Sequence, residues 1–378
     1  MGFGKLNRKQ TGASVFAKIL GRWRLGGRCM WRMVLGVMII GMLGSVAGAQ
    51  AVKGQVVSVG IGGIAGTGGV YREGNWVPVQ VRLKNMTPVP FVGHLEVEQK
   101  DLDGDKVDAV GPEFVLQPGV DDRLLWTYFW PRADYTTTSG GIVNVVVLDK
   151  NRQPIATIST PNQMPGAVNI GPEDDANRRS TRFVVILGND FVGWKSFDGM
   201  WGGNEAVRSV LVTNPNQLPD NVLGFDGVDT LVWEADDVKV SDISPEFQLQ
   251  AMLDWVKAGG HLIISVGTQG QEFLKGGGKV MDAMPMTITG TRDLKMADLK
   301  VFNAPWSVDI AGDKPLVQVI GTLKASARPI IAQGPQVAGG PPPVFEDHPL
   351  VVTDLYGRGA ITLVTMDVVN LSRANPIK

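Results

Sequence analysis

Cysteine and histidine are almost absent from this chain, and their scarcity excludes several kinds of site. The 378 residues include one cysteine and three histidines. A single thiol cannot form an intramolecular disulfide or supply a multi-cysteine zinc or iron–sulfur site. The sequence therefore predicts no cofactor and no disulfide framework. A chain of this length needs neither, because it is long enough for two domains with ordinary hydrophobic cores.

Acidic residues are missing from the first 49 positions. An uncharged apolar run of 16 residues, 33–48, ends there in Ala47-Gly48-Ala49. A basic region, a short apolar segment and a small-x-small triplet, in that order, are typical of a cleaved secretory signal peptide. The run is short for a stable membrane span, which needs about 20 residues. We therefore expect cleavage before Gln50 and export to the periplasm or cell envelope. The leader's eight bases are Lys5, Arg8, Lys9, Lys18, Arg22, Arg24, Arg28 and Arg32.

Positive charge is scarce in the rest of the chain. The whole sequence has a net charge of −1, and the eight bases of the leader leave −9 on residues 50–378. An acidic surface argues against a nucleic acid partner. The only thiol, Cys29, leaves with the leader. We expect the partner to be an envelope protein or a glycan, with membrane contact only through the leader or through a C-terminal segment missing after Lys378.

Helical periodicity is lacking from residues 50–160, where short β-rich runs alternate with turn residues. This pattern predicts an N-terminal β-sandwich domain. In the run 76–85, alternation points Val77, Val79, Val81 and Leu83 inward and their polar neighbours outward. Those polar neighbours are Gln80, Arg82 and Lys84. The six predicted strands of this domain are 55–61, 76–85, 93–101, 123–130, 141–149 and 154–159.

An acidic cluster lies between two of the predicted strands. Its carboxylates resemble the start of a calcium loop, although the spacing departs from an EF-hand. The other reading is a hairpin turn, for which Asp and Gly are the usual residues. The candidate metal ligands are Asp101, Asp103 and Asp105.

Aromatic residues cluster in the run 123–130. Alternation along a strand places Trp126, Tyr128 and Trp130 on one face and Phe129 on the other. The three-residue face is predicted to fill the sandwich core. The alternative is an exposed platform on which a glycan stacks.

The hydrophobic pattern of the sequence changes after a Pro- and Gly-rich linker, 161–181. Continuous apolar runs at 182–190, 228–237 and 261–267 predict strands buried on both faces, as in a parallel sheet. A helix is predicted at 244–260, with an apolar stripe that includes Phe247 and a stop at Gly259-Gly260. Strand, helix and strand in this order form a βαβ unit of an α/β domain, 182–378. Further strands are predicted at 329–333, 349–356 and 359–367, with a hairpin turn at 357–359. A domain that is incomplete at its C-terminus is left open as an alternative.

Two stretches carry a resemblance to a known family. They are DTLVW at 229–233 and LDWVKAGGHLII at 253–264. This pattern resembles the class I glutamine amidotransferase-like fold, which also occurs in ThuA-like proteins. A β-sandwich ahead of such a domain is similar to the arrangement in some bacterial exported proteins. The resemblance implies a flavodoxin-like parallel sheet, a nucleophile elbow after strand 261–267, and a catalytic His and Glu late in the chain.

The elbow region lacks the cysteine that the resemblance requires. Residues 265–270 read SVGTQG, and glutaminase chemistry depends on a thiolate. The resemblance therefore implies a catalytically silent domain. A replacement nucleophile would be Ser265 or Thr268 with His348 as its base. The alternative is that these polar residues simply end a strand.

Acidic residues also follow the predicted strand 228–237. Glu234, Asp236 and Asp237 lie at its carboxyl end, where α/β folds bind their ligands, so they are candidates for ligand or cation binding. A solvated acidic loop is the alternative. The sequence as a whole favours an exported, non-catalytic envelope protein that binds or scaffolds a partner. The alternatives are an envelope hydrolase and a glycan- or calcium-binding module.

Overall fold

The structure is a computed structural model, and the part of the chain that it describes begins at Ala51. All described residues belong to one compact unit, Gln50–Lys378. The predicted leader, 1–49, lies outside them. Within the described part, no helix is both long and apolar enough to cross a membrane. The described residues are 51–62, 69–72, 74–100, 105–119, 122–131, 142–160, 168–169, 180–191, 205–243, 246–270, 278–294, 316–331 and 348–367.

Two antiparallel sheets enclose the first core. One sheet has the strand order β1-β3-β7, and the other has the order β5-β4-β8-β9, with β6 paired to β4. All six runs predicted as strands are strands, while β5 and β6 were not predicted. The strands are β1 (Val52–Val59), β2 (Val70–Tyr71), β3 (Val77–Asn85), β4 (Phe91–Lys100), β5 (Lys106–Val110), β6 (Phe114–Leu116), β7 (Arg123–Phe129), β8 (Asn144–Asp149) and β9 (Pro154–Ser159).

Alternation in β3 fixes which side chains enter this core. Val77, Val79, Val81 and Leu83 are each at most 1% exposed, as the pattern predicts. Their partners on β7 lie on the same face, because Val77 is paired with Phe129. Phe129 therefore packs in the core between the sheets.

The predicted orientation of the aromatic strand is wrong. Trp126 and Tyr128 are buried on the opposite face of the sheet, away from the shared core, and Trp130 is 43% exposed. Gln80, predicted to face solvent, is only 1% exposed, and its side chain donates a hydrogen bond to the carbonyl of Asn216. The second face of this sheet is covered by residues from the later part of the chain, which local alternation could not reveal.

The later part of the chain forms a seven-stranded sheet of order β12-β11-β13-β14-β19-β18-β17. The first five of these strands are parallel to one another, whereas β18 pairs antiparallel with both β19 and β17 and is the one strand of this sheet that runs in the opposite direction. The chain is therefore mostly β, with one sheet that contains parallel strands. The remaining strands are β10 (Val168–Asn169), β11 (Ser180–Leu187), β12 (Glu205–Val212), β13 (Thr230–Glu234), β14 (His261–Ser265), β15 (Met286–Leu294), β16 (Leu316–Leu323), β17 (Arg328–Ile331), β18 (Val351–Tyr356) and β19 (Gly359–Val364).

A helix packs on one face of the parallel strands, and the side chains between the helix and that face form the second hydrophobic core. Helix α1, Glu246–Ala258, packs Leu249, Met252 and Val256 against the sheet. Gly259 ends it with φ +134°, a conformation that favours glycine, so the predicted stop is confirmed. Phe247 was predicted to join the apolar stripe, but it is 70% exposed.

Several elements were not predicted from the sequence. They are the edge strand β12, the antiparallel hairpin β15–β16 and a short helix α2, Gly278–Ala283. Strand β10 falls inside the predicted linker and pairs in parallel with β2. The hairpin turn at 357–359 is confirmed, because Tyr356 pairs with Gly359.

Polar side chains join the two-sheet region to the seven-stranded sheet. Arg72 Nη2 lies 2.6 Å from Asp229 Oδ2, and the hydroxyl of Tyr128 donates to Asp220 Oδ1 at 2.6 Å. Burial, reinforced by the negative charge of Asp220, raises the pKa of Tyr128 well above its ordinary value. The phenol therefore stays protonated and remains a donor at physiological pH.

Candidate functional site

The candidate residues of the α/β region gather at the carboxyl edge of the parallel strands. Glu234 and Ser265 are paired across β13 and β14, and the polar residues that follow these strands lie in the adjacent loops. Parallel strands end at the same edge of a sheet, which is where open α/β sheets bind ligands. The geometry of this edge determines what these residues can do.

Asp236 is the centre of this edge. Its carboxylate accepts hydrogen bonds from the backbone N–H groups of Gly267 and Gln269, at 2.6 and 2.5 Å, and from the hydroxyl of Thr268 at 2.6 Å. Three donors on one carboxylate tie the loop after β13 to the loop after β14. Asp236 and Thr268 therefore act together as a structural clamp between two loops.

Ser265 is poorly placed for nucleophilic attack. It is 1% exposed, and its hydroxyl donates to the carbonyl of Met366 at 3.0 Å. A nucleophile needs an accessible oxygen and a base within hydrogen-bond reach of its proton. The proton of Ser265 is directed instead at the backbone that follows β19.

His348 approaches the same edge through its backbone. Its carbonyl accepts from Gln318 Nε2 at 3.2 Å, and the neighbouring Leu350 carbonyl accepts from the N–H of Thr365. The Nδ1 atom of His348 is buried and makes no hydrogen bond to any described residue. No hydrogen bond joins the His348 side chain to Ser265 or Thr268, so no nucleophile–base pair is formed.

The acidic candidates among the described residues do not assemble a metal site. Asp237 accepts from the N–H of Asn189 at 3.0 Å, and Glu234 is 1% exposed. Nowhere in the described part of the chain do three His, Cys, Asp or Glu side chains lie close enough to hold a metal ion. Asp101 and Asp103 lie outside the described residues, whereas Asp105 is exposed just before β5, which pairs with β4 as in a hairpin.

The aromatic candidates contribute one exposed ring. Trp130 is packed edge-on against Trp76, with ring centroids 5.7 Å apart. Trp126, Tyr128 and Phe129 are buried, so they present no stacking surface to solvent. A glycan platform on β7 would be limited to the Trp76–Trp130 pair.

A cavity of about 830 Å³ lies at the opposite, amino-terminal edge of the parallel strands. Its lining includes Arg182, Thr230 and His261 near the starts of three strands, and Gly259-Gly260 after helix α1. Sequence reasoning did not select this region. The signal that could have found it is the polar residue near the start of each of these three predicted strands. A strand buried on both faces normally has apolar residues at such positions.

His261 carries the one histidine pKa shift in this region. Its Nε2 lies 2.9 Å from the hydroxyl of Thr362 on the neighbouring strand, and the residue is half-buried. Burial lowers the pKa of His261 below its ordinary 6.5 because it disfavours the charged imidazolium. His261 is therefore neutral at pH 7.

The pKa of His261 predicts how stability varies with pH. Below about pH 6.5 the unfolded chain binds more protons than the folded one, so the free energy of unfolding should fall. The fall should level off once the folded-state imidazole is protonated. Urea titrations between about pH 5 and pH 7.5 measure this slope. His261→Gln should make this slope shallower than in the wild type, so equal slopes in the wild type and the variant would contradict the assignment.

Comparisons with known proteins give no family for this chain. No family model matches it, and no curated protein matches it. Among solved structures, it is similar to a β-galactosidase from Rahnella sp. R3 at 12% identity and a TM-score of 0.25, covering 52% of this chain and 31% of that one. A β-galactosidase from Bacillus circulans sp. alkalophilus gives 12% identity, a TM-score of 0.26 and coverage of 52% and 30%.

A third solved structure has a different activity. The alkylpurine DNA glycosylase AlkC of Pseudomonas fluorescens gives 20% identity and a TM-score of 0.20, covering 35% of this chain and 38% of that one. This chain thus spans about a third of the length of each of the three proteins. Similarities this weak support no assignment of fold or function, which must come from the chain's own geometry.

Proposed function

We propose that this protein is exported to the cell envelope, where it binds a partner without catalysing a reaction. The observation that carries the proposal is the clamp at the carboxyl edge. Asp236 accepts from the Thr268 hydroxyl and from two backbone N–H groups of the loop, while the Ser265 hydroxyl is buried and donates to a carbonyl. The groups that a hydrolase would need free for substrate are used to hold loops together.

The fold that we propose is a β-sandwich followed by an amidotransferase-like, flavodoxin-like parallel-sheet domain. Two facing antiparallel sheets around one core support the first part. The unit β13–α1–β14, with parallel strands and a glycine stop after the helix, supports the second. The residues 50–378 contain no cysteine, so an amidotransferase-like domain here would be catalytically silent.

The contacts between the two regions support a scaffolding role. Arg72–Asp229, Tyr128–Asp220 and Gln80–Asn216 all bridge the two-sheet region and the seven-stranded sheet. Buried or half-buried polar contacts of this kind fix the geometry in which two surfaces are presented. A partner would therefore meet both regions in one defined arrangement.

The proposal predicts that the purified chain hydrolyses neither p-nitrophenyl acetate nor a p-nitroanilide above the rate of the buffer, and that it releases no ammonia from glutamine. Ser265→Ala and Thr268→Val should behave like the wild type, because neither hydroxyl takes part in chemistry. Absorbance at the nitrophenol or nitroaniline band measures the rates.

An authentic hydrolase would give a different pattern. Its turnover would drop by about 100-fold or more when the nucleophile is removed. Ser159→Ala, on an exposed position of β9, is the matched control for loss of a serine hydroxyl. Turnover that survives in Ser159→Ala and disappears in Ser265→Ala or Thr268→Val would establish an enzyme and overturn the binding proposal.

A further inference from the structure

The cavity at the amino edge of the parallel strands has the size of a small-molecule site. Its volume of about 830 Å³ falls within the range of roughly 300–1,000 Å³ that such sites occupy. Strands β11, β12, β13 and β14 supply its floor, and Trp255 with Gly259-Gly260 lies at the end nearest helix α1. The clamped carboxyl edge lies at the other end of these strands, so this cavity is a separate candidate for ligand binding.

The strand pairing builds an unusual row of side chains across the cavity floor. Ser209, Val184, Thr230 and His261 stand side by side on four neighbouring parallel strands. Neighbouring strands are about 4.8 Å apart, so the row spaces its side chains at that interval. Val184, Thr230 and His261 are half-buried, and three of the four residues in the row carry polar side chains. The row is therefore suited to hydrogen bonding.

The chemistry of this row excludes a wholly apolar ligand. Hydroxyl groups both donate and accept, and a neutral imidazole does the same with its two nitrogens. His261 Nε2 is already paired with the Thr362 hydroxyl, so a hydrocarbon over the row would deprive the Thr230 hydroxyl and His261 Nδ1 of water, at about 1–3 kcal/mol for each group left without a partner. The ligand must instead offer both donors and acceptors to the row.

The charged residues of the lining are engaged within the protein. Asp229 lies 2.6 Å from Arg72 and 3.8 Å from Arg182, and it also accepts from the N–H of Phe183. Asp226 accepts from the N–H of Trp76 and from the side chain of Asn75. Because these carboxylates already accept hydrogen bonds or form ion pairs within the protein, they do not require a charged ligand as a partner.

Apolar surface completes the lining. Val232 and Ile263 form the next row of the floor, and Val207 borders the floor on the outer strand β12. A molecule that is neutral, carries many hydroxyl groups and has C–H faces satisfies both the polar row and these apolar side chains. Sugars have this combination. We propose that the cavity binds a neutral sugar of di- or trisaccharide size, which specifies a ligand class for the binding function proposed above and rests on it.

The test is calorimetric titration of the purified chain with maltose, cellobiose, chitobiose and their trisaccharides. Sodium dodecanoate serves as the apolar probe. At least one sugar should bind saturably with one site per chain. Thr230→Val, which keeps the shape and removes the hydroxyl, should weaken that sugar by about tenfold. Val207→Phe, which narrows the cavity, should abolish binding, and Thr289→Val, on an exposed position of β15, should change nothing.

Several results would overturn the sugar assignment. They are dodecanoate binding without any sugar binding, no binding by any of the probes, or equal affinities in the wild type and Thr230→Val. Chromatography of the sugar after titration separates this proposal from the proposed function. A bound sugar recovered intact supports both, whereas a bound sugar that is converted upholds the site and overturns the non-catalytic function.

Discussion

Ala49→Tyr should leave the exported chain uncut, so that a precursor larger by the leader accumulates in place of the mature protein. The small-x-small triplet Ala47-Gly48-Ala49 ends the apolar run, and the cleavage site of a signal peptide requires small residues at the outer two positions. A tyrosine at the last position should abolish processing almost completely. Intact mass and N-terminal sequencing of the envelope fraction measure this, and the wild type should begin at Gln50.

Gly48→Tyr is the matched control, because the middle position of the triplet carries no requirement for a small side chain. It should be processed as the wild type is. If the wild type instead remains in the cytosol with residues 1–49 attached, the export proposal is contradicted. Cys29 would then be retained, and the absence of a cysteine from the mature chain, which supports a catalytically silent domain, would be contradicted too.

Trp233→Ala should lower the free energy of unfolding by about 3–5 kcal/mol, the cost of removing a large aromatic side chain from a core. Trp233 is fully buried in β13, and its indole N–H donates to the carbonyl of Val238 at 2.7 Å. It both fills the core against helix α1 and closes the turn after its strand. Urea denaturation followed by circular dichroism measures the loss.

Trp233→Phe separates the two roles of this residue. It keeps most of the ring volume but leaves the Val238 carbonyl without its donor, so about 1–3 kcal/mol should be lost. Trp130→Ala is the control for an indole outside the core, since Trp130 is 43% exposed, and it should cost less than about 1 kcal/mol. Equal losses in Trp233→Ala and Trp130→Ala would contradict the packing described for β13.

The strands of this protein could be predicted where local pattern and burial agree. Val77, Val79 and Val81 alternate with polar residues and face the core between the sheets, as predicted. The edge strand β12 and the hairpin β15–β16 were not predicted, because their mixed composition gives neither a clean alternation nor a continuous apolar run. Edge strands and hairpins outside the main core depend on what packs beside them.

The candidate site shows the same division. The order of strand and polar loop was enough to predict that Glu234, Asp236 and Asp237 lie at the carboxyl end of a parallel strand, and they do. The sequence could not show that Asp236 clamps the loop at 267–269, since that contact spans about thirty positions. The row of Ser209, Thr230 and His261 was invisible for the same reason, because each residue lies on a different strand.

The amino-acid sequence by itself determined the properties that depend on composition and short range: a basic N-terminal segment followed by an apolar run, residues 50–378 without cysteine, and helix α1 with its glycine stop. These follow from charge, hydropathy and backbone preference, which act over a few residues. Only the tertiary structure decided which face of β7 enters the core, what covers Gln80 and which side chains share the cavity floor. Those outcomes depend on strand register and on packing between distant segments, where burial on both faces of a sheet overrides local alternation.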